Sequence, residues 1–481
     1  MKDYRHKTVN ALAWVFGSQL SSQAISFIFG IALARLLMPD DFGLIAMVMV
    51  FSGFASLLSD IGFGSALIQK KDTNQTHYSS VFWLNLMIGG VLAISFWACS
   101  QLLSSFYDRQ EIAQIVQFLG LNFLISAVAL VPRIKLRKKL EFKVLTIADF
   151  SGMFFSGLLA ITLAYYDYGY WSLVYQIIAR AIIAAIIVWV AGRWLPSFLF
   201  NIAAIKELFA FSFNVFLSKA IQYLADKLDV IIIGRYLGGS ALGLYDKAFS
   251  LMLFPLQNVS HVIANVMFPS LSLIQSDKAR VRDVYLRCTR AISLLTFPMM
   301  VGMFCIAESF VLGVLGAHWA ELVPVMQIFC LSGIVRSIVT VTGAIYLSQN
   351  ETGLQLKVTM ITKPITIAGI LAGIPWGVIG IAIGCSVANL INSIITLSTA
   401  GRTINLKLPT LLRTLTPTFL CALTMGGVIL LLTKLADKEP GLVLLGGQVI
   451  CGIATYLLLI ATFKIKAFSD VFEVIKKQIN N

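Results

Sequence analysis

The sequence predicts an all-α membrane protein of about 14 transmembrane helices, built as two six-helix bundles in a parallel pseudo-twofold repeat plus two C-terminal helices. Three observations predict it. Hydrophobic residues make up 58% of the chain and charged residues 12%, with a mean hydropathy of +0.85, which is too apolar for a soluble domain. Apolar runs of membrane length recur along the chain. Finally, a shift of 200 residues brings Phe16 onto Phe216, Ser18 onto Ser218, Ile31 onto Ile231, Arg35 onto Arg235, Gly43 onto Gly243 and Phe54 onto Phe254.

The apolar runs place helices at approximately 10–35, 43–68, 80–103, 112–132, 145–165, 170–192, 207–234, 243–274, 284–307, 321–347, 356–375, 377–400, 411–433 and 442–463. The first run lacks a short apolar region followed by a small-residue cleavage site, and is read as a retained helix. Residues 1–195 then form an N-terminal lobe, 196–210 a linker, 211–402 a C-terminal lobe, 403–465 the two extra helices and 466–481 a cytoplasmic amphipathic tail.

Orientation follows from the basic residues. With the N-terminus inside, 25 Lys and Arg fall in the tails and cytoplasmic loops, against 6 outside and 6 within helices. The positive-inside rule therefore puts both termini in the cytoplasm and accounts for most of the +14 net charge. The densest cluster, Arg133 to Lys143, reads as a topology signal in contact with anionic lipid, with no role toward nucleic acid. Seven cysteines without a CxxC pair and four scattered histidines call for no disulfide, metal or other cofactor. The loops are too short to hold a soluble catalytic domain, and no catalytic cluster is evident, so the chain reads as a non-enzyme.

One helix organises the rest. Between Leu208 and Gly234 an otherwise apolar stretch carries Lys219, Asp226, Lys227 and Asp229, which share half the helix circumference with Ser218, Gln222 and Tyr223. A charge at mid-bilayer costs about 2.5 to 3.5 kcal/mol, so this face predicts a wet surface. Ser18, Gln19, Ser22, Gln23 and Ser26 give the first helix a milder polar strip at the matching position of the repeat. Arg180 and Arg336 also lie near midspan, Lys363 lies in helix eleven, and Arg290 lies close enough to the cytoplasmic end to snorkel. These six bases, Lys219, Arg180, Arg336, Lys363, Lys227 and Arg290, exceed the acidic groups near them, a surplus suited to an anion. Asp226 and Asp229 either keep Lys227 charged or take part in cation coupling, and Asp60 and Asp149 are further candidates for charge pairing or coupling. In the turn after Arg35, Pro39 with Asp40 and Asp41 starts the second helix, either Asp serving as cap.

The run Ala34-Arg35-Leu36-Leu37-Met38-Pro39-Asp40-Asp41-Phe42-Gly43-Leu44-Ile45-Ala46-Met47 resembles bacterial polysaccharide transporters of the Wzx type, the colanic acid exporter branch in particular. So do Ser59-Asp60-Ile61-Gly62-Phe63-Gly64-Ser65-Ala66-Leu67-Ile68-Gln69, Arg137-Lys138-Lys139-Leu140-Glu141-Phe142 and Phe268-Pro269-Ser270-Leu271. The resemblance implies the multidrug/oligosaccharidyl-lipid/polysaccharide exporter fold in the cell inner membrane. It also implies export of an undecaprenyl-diphosphate-linked oligosaccharide from the cytoplasmic to the periplasmic leaflet by alternating access. On that reading the six bases line a central cavity and meet the anionic headgroup while the prenyl tail stays in lipid. The partners are then the lipid-linked oligosaccharide, the bilayer, and polysaccharide biosynthesis and export proteins, with a monomer as transport unit. Competing readings are a peptidoglycan lipid-precursor flippase, a multidrug antiporter, for which a basic cavity is unfavourable, and a membrane polysaccharide polymerase.

Overall fold

A computed structural model describes residues 21–60, 63–70, 73–436, 441–463, 465 and 468. Every regular element among them is helical. In chain order they are α1 (Ser21–Leu36), α2 (Pro39–Asp60), α3 (Phe63–Gln69), α4 (Gln75–Tyr107), α5 (Glu111–Lys138), α6 (Phe142–Tyr165), α7 (Trp171–Gly192) and α8 (Ile202–Ser272). There follow α9 (Lys278–Phe310), α10 (Leu322–Val339), α11 (Thr342–Ser348), α12 (Thr352–Gly373), α13 (Gly377–Thr403), α14 (Leu408–Leu435) and α15 (Leu442–Phe463). Among the described residues, eleven segments are long and apolar enough to cross a membrane; one of them, Thr352–Thr403, contains both α12 and α13. With α1 as a shorter apolar helix, this is compatible with fourteen crossings, and the chain is a multi-pass membrane protein. Ser18, Gln19 and nearly all of the tail from Lys464 lie outside the described residues.

Backbone contacts divide the chain into two compact units, Met1–Gly243 and Leu244–Asn481. In the first, α4 begins at Asn74, whose side chain accepts the His77 amide at 3.1 Å, and ends at Asp108 in the left-handed region. Pro132 removes a donor inside α5, which frees the carbonyl of Val128 four residues before it. The indole Nε1 of Trp189 on α7 donates to that carbonyl at 3.0 Å, so the freed acceptor is satisfied across helices. At the end of α5 the Lys138 ammonium donates to the carbonyls of Lys70 (2.7 Å) and Leu67 (3.2 Å) and to Thr73 Oγ1 (2.7 Å), tying the α3–α4 connection to α5.

The second unit repeats the proline device. Pro298 in α9 frees the carbonyl of Leu294, and the Tyr456 hydroxyl of α15 donates to it at 2.8 Å. Tyr245 and Phe249 of α8 stack on each other and meet Phe329 of α10 edge-on, while Tyr346 of α11 bonds Thr399 of α13 at 2.9 Å.

Within α8 a single residue, Gly238, leaves helical geometry, with φ of 81°. The expected separate helices seven and eight are thus two arms around one glycine, which alone adopts that φ cheaply. The same arm packs on the start of α2. A methyl on Gly43 would overlap the carbonyl oxygen of Gly239, and one on Gly243 would overlap that of Pro39. Helix ten of the sequence reading is likewise two elements, α10 and α11, parted at Thr340 and Val341.

Candidate functional site

The polar face of α8 is set by what its other side grips. Tyr223 turns toward α2, where its hydroxyl donates to the carbonyls of Val50 (3.0 Å) and Met49 (3.3 Å) and sits where a β-carbon of Gly53 would be. Three turns further on, on the same side, Gly234 packs against Met47 and Tyr107. With that side docked, Lys219, Gln222 and Asp226, spaced three and four apart, are exposed along one face. Lys227 and Asp229 are half-buried, and the Asp229 carboxylate accepts the Val230 amide at 2.8 Å.

Arg180 is exposed on α7, where its backbone and aliphatic stem lie over Gly152 of α6. Lys219, Lys227 and Arg180 make no ion pair among the described residues. Asp149, a candidate partner for the helical bases, is an ion pair with Arg133 instead. Arg133 itself lies inside α5 rather than in the loop its charge suggested. The side chain of Asp60, the last residue of α2, lies outside the described ones.

Three of the six bases belong to the second unit. Arg336 is exposed on α10 with its guanidinium carbon 5.2 Å from the centre of the Phe249 ring, a cation–π contact. Lys363 is half-buried on α12, and half-buried Arg290 on α9 lines a cavity together with Arg413. Among the bases counted with the loops in the sequence, Lys247 and Arg413, like Arg133, lie within helices. Lys247 is in α8, its ammonium 6.0 Å from the Trp319 ring centre, and Arg413 is in α14. The signal for both is the helical period continuing through them, from Gly243 to Met252 and from Leu411 to Leu420.

At the Pro39 end of the first unit, the carboxylate of Asp40 takes both terminal nitrogens of Arg109, at 2.6 and 3.2 Å, and Glu111 takes Nε and Nη2 at 3.3 Å. These bonds raise the Arg109 pKa above its ordinary value, against the opposing effect of partial burial. Asp41 accepts the Met38 amide at 2.9 Å, so of the two expected caps it is Asp41 that turns to the helix start.

The chain matches the family described as "Polysaccharide biosynthesis protein" over residues 32–324. It is 29% identical over 307 residues to the teichuronic acid biosynthesis protein TuaB of Bacillus subtilis (strain 168), an alignment spanning 63% of this chain and 63% of TuaB. With the lipopolysaccharide biosynthesis protein WzxC of Escherichia coli (strain K12) the identity is 23% over 398 residues, 81% of this chain and 80% of that one. Among solved structures, the Lipid II flippase MurJ in its inward closed conformation superposes with a TM-score of 0.75 at 15% identity, covering 94% of this chain and 98% of that one. At that identity the likeness shows a shared fold.

Proposed function

The chain belongs to the polysaccharide biosynthesis protein family, and from that premise we propose that it is a flippase for a lipid-linked anionic oligosaccharide. The cargo is an undecaprenyl-diphosphate-linked saccharide, carried from the cytoplasmic to the periplasmic leaflet of the inner membrane, with both chain termini in the cytoplasm. The basic residues crowded into alternate connections support that orientation.

The observation that carries the proposal is the open face of α8, where Lys219 stands exposed in a membrane-length helix with no ion pair among the described residues, together with the similarly exposed Arg180. Such cations persist in a membrane protein where water or an anionic ligand meets them. A diphosphate suits the set well, since guanidinium binds phosphate through two parallel bonds and ammonium as a point charge. Arg336, Lys363, Lys227 and Arg290 complete the proposed headgroup contacts, while Asp226 and Asp229 serve charge pairing or ion coupling. Alternating access between the two leaflets is part of the same reading, as are the lobe ranges 1–195 and 211–402.

The test is the lipid content of a strain lacking the gene. The proposal expects a prenyl-diphosphate-linked oligosaccharide, complete in its sugars, to accumulate on the cytoplasmic side. Accumulation of an unfinished sugar chain, or of a peptidoglycan precursor, would assign the protein a different role.

A further inference from the structure

Three helices of the second unit, α9, α14 and α15, pack closely at one end and line a cavity at the other. At the closely packed end, Gly426 of α14 leaves no space for a β-carbon against Val301 of α9, and Cys305 Sγ lies 3.6 Å from the Gly426 carbonyl. Gly452 of α15 packs on Ile429, and Gln448 donates to Thr433 at 2.8 Å. Toward the starts of α9 and α14 lies a cavity of about 730 Å³, whose lining includes Arg290, Arg413, Thr414, Thr424, Leu459 and Phe463.

The cavity has a charged end and a greasy wall. The Phe297–Phe419 edge contact fixes α9 and α14 in register, so Arg290 and Arg413, seven and six residues before those rings, stand level. No lining residue among those described is acidic. Thr414 donates its hydroxyl to Thr410 O at 2.8 Å and Thr424 to Leu420 O at 2.9 Å, which commits both donors to their own helix. Beyond the two guanidinium groups these threonines offer acceptors and no free donors, and a hydrocarbon chain along them needs neither. From Arg413 to Thr424 the helix rises about 16 Å, close to half the hydrocarbon core of a bilayer. The charged end lies on the side where Lys278, Arg280, Arg282 and Arg287 open α9 and Lys407 precedes α14.

We propose that this cavity seats one acidic glycerophospholipid of the adjoining leaflet, its phosphate between Arg290 and Arg413 and one acyl chain along Thr424, Leu459 and Phe463. Charge complementarity selects an acidic headgroup, and a depth of one leaflet selects an ordinary acyl chain over the longer polyprenyl carrier. The inference takes Arg290 from the headgroup contacts of the proposed cargo into this cavity, and in every other respect stands independently of that cargo.

The test is native mass spectrometry of the purified full chain, delipidated and then titrated with phosphatidylglycerol or with phosphatidylcholine of the same acyl length. Wild type is expected to retain one phosphatidylglycerol in preference to phosphatidylcholine. Arg413→Gln should weaken phosphatidylglycerol binding about fivefold, as for loss of one basic contact at a membrane surface. Arg413→Lys should keep most of the binding, and Thr424→Phe, which fills the chain slot and leaves both charges, should lower it. Equal affinity for the two lipids would overturn the proposal. So would wild-type binding by Arg413→Gln or by Thr424→Phe. Displacement of phosphatidylglycerol by an equimolar amount of undecaprenyl phosphate would overturn it too, assigning the cavity to the carrier lipid. If Arg413→Gln does not fold, the Lys and Phe variants decide.

Discussion

Gly43 and Gly243 pack in reciprocal fashion, each against the carbonyl oxygen of the residue four positions before the other, Gly239 in one case and Pro39 in the other. Residues 39 and 239, like 43 and 243, are related by the 200-residue shift of the sequence repeat. Reciprocal contact between equivalent residues is what a local twofold axis produces. A methyl at either position meets backbone, which cannot move aside as a side chain does.

Gly43→Ala and Gly243→Ala are therefore expected to destabilise the protein to similar extents, by about 1 to 3 kcal/mol each, the usual cost of overpacking. Gly30→Ala is the control, because a β-carbon there meets nothing within 4 Å. Thermal unfolding of the purified variants in detergent checks this. A large effect at one glycine and none at the other would contradict the reciprocal packing.

The two proline-freed carbonyls give a second prediction. Trp189→Phe and Tyr456→Phe each leave a buried acceptor unpartnered, at a cost of about 1 to 3 kcal/mol. In a Pro298→Ala background, which restores the helical N–H to the Leu294 carbonyl, Tyr456→Phe should cost much less. A double-mutant cycle read by thermal stability measures the difference, and additive effects would refute the pairing.

The ion bridge at the Pro39 end should matter less. Arg109 and Asp40 are 30% and 37% exposed, so Arg109→Gln should cost about 1 kcal/mol or less, an amount that shrinks as salt is raised. Unfolding midpoints at low and high ionic strength provide the check; a loss that salt leaves unchanged would point to packing instead.

Ion coupling, if it runs through α8, has its own signature. Transport into sealed vesicles should respond to an imposed proton or sodium gradient, and Asp226→Asn should remove that response while leaving gradient-free exchange. A wild-type rate indifferent to both gradients would exclude secondary coupling.

The helices were legible because hydropathy sums over some twenty residues, so misplacing one charge does little harm. Their ends were not, for the same reason. Arg133, Lys247 and Arg413 stand within a few turns of a break or helix end, where composition does not separate a loop charge from a long side chain reaching out of a helix. The sequence separates helices seven and eight between 234 and 243; that the break is the single residue Gly238 depends on how closely α8 approaches Pro39 and Gly43, which is tertiary information. The polar face of α8 followed from periodicity alone. That Tyr223, a member of that face, turns away to α2 did not, since its direction is fixed by the space over Gly53.

The most direct measurement of the central claim is leaflet exchange of a labelled prenyl-diphosphate oligosaccharide in liposomes holding the purified protein, scored by access of an external sugar-modifying reagent. Wild type is predicted to expose the initially inaccessible half of the label, and Lys219→Ala and Arg180→Ala, at equal protein levels, to do so about tenfold more slowly, as for loss of one charge-assisted phosphate contact. Exchange no faster than in empty liposomes, or undiminished in both variants, would contradict the account.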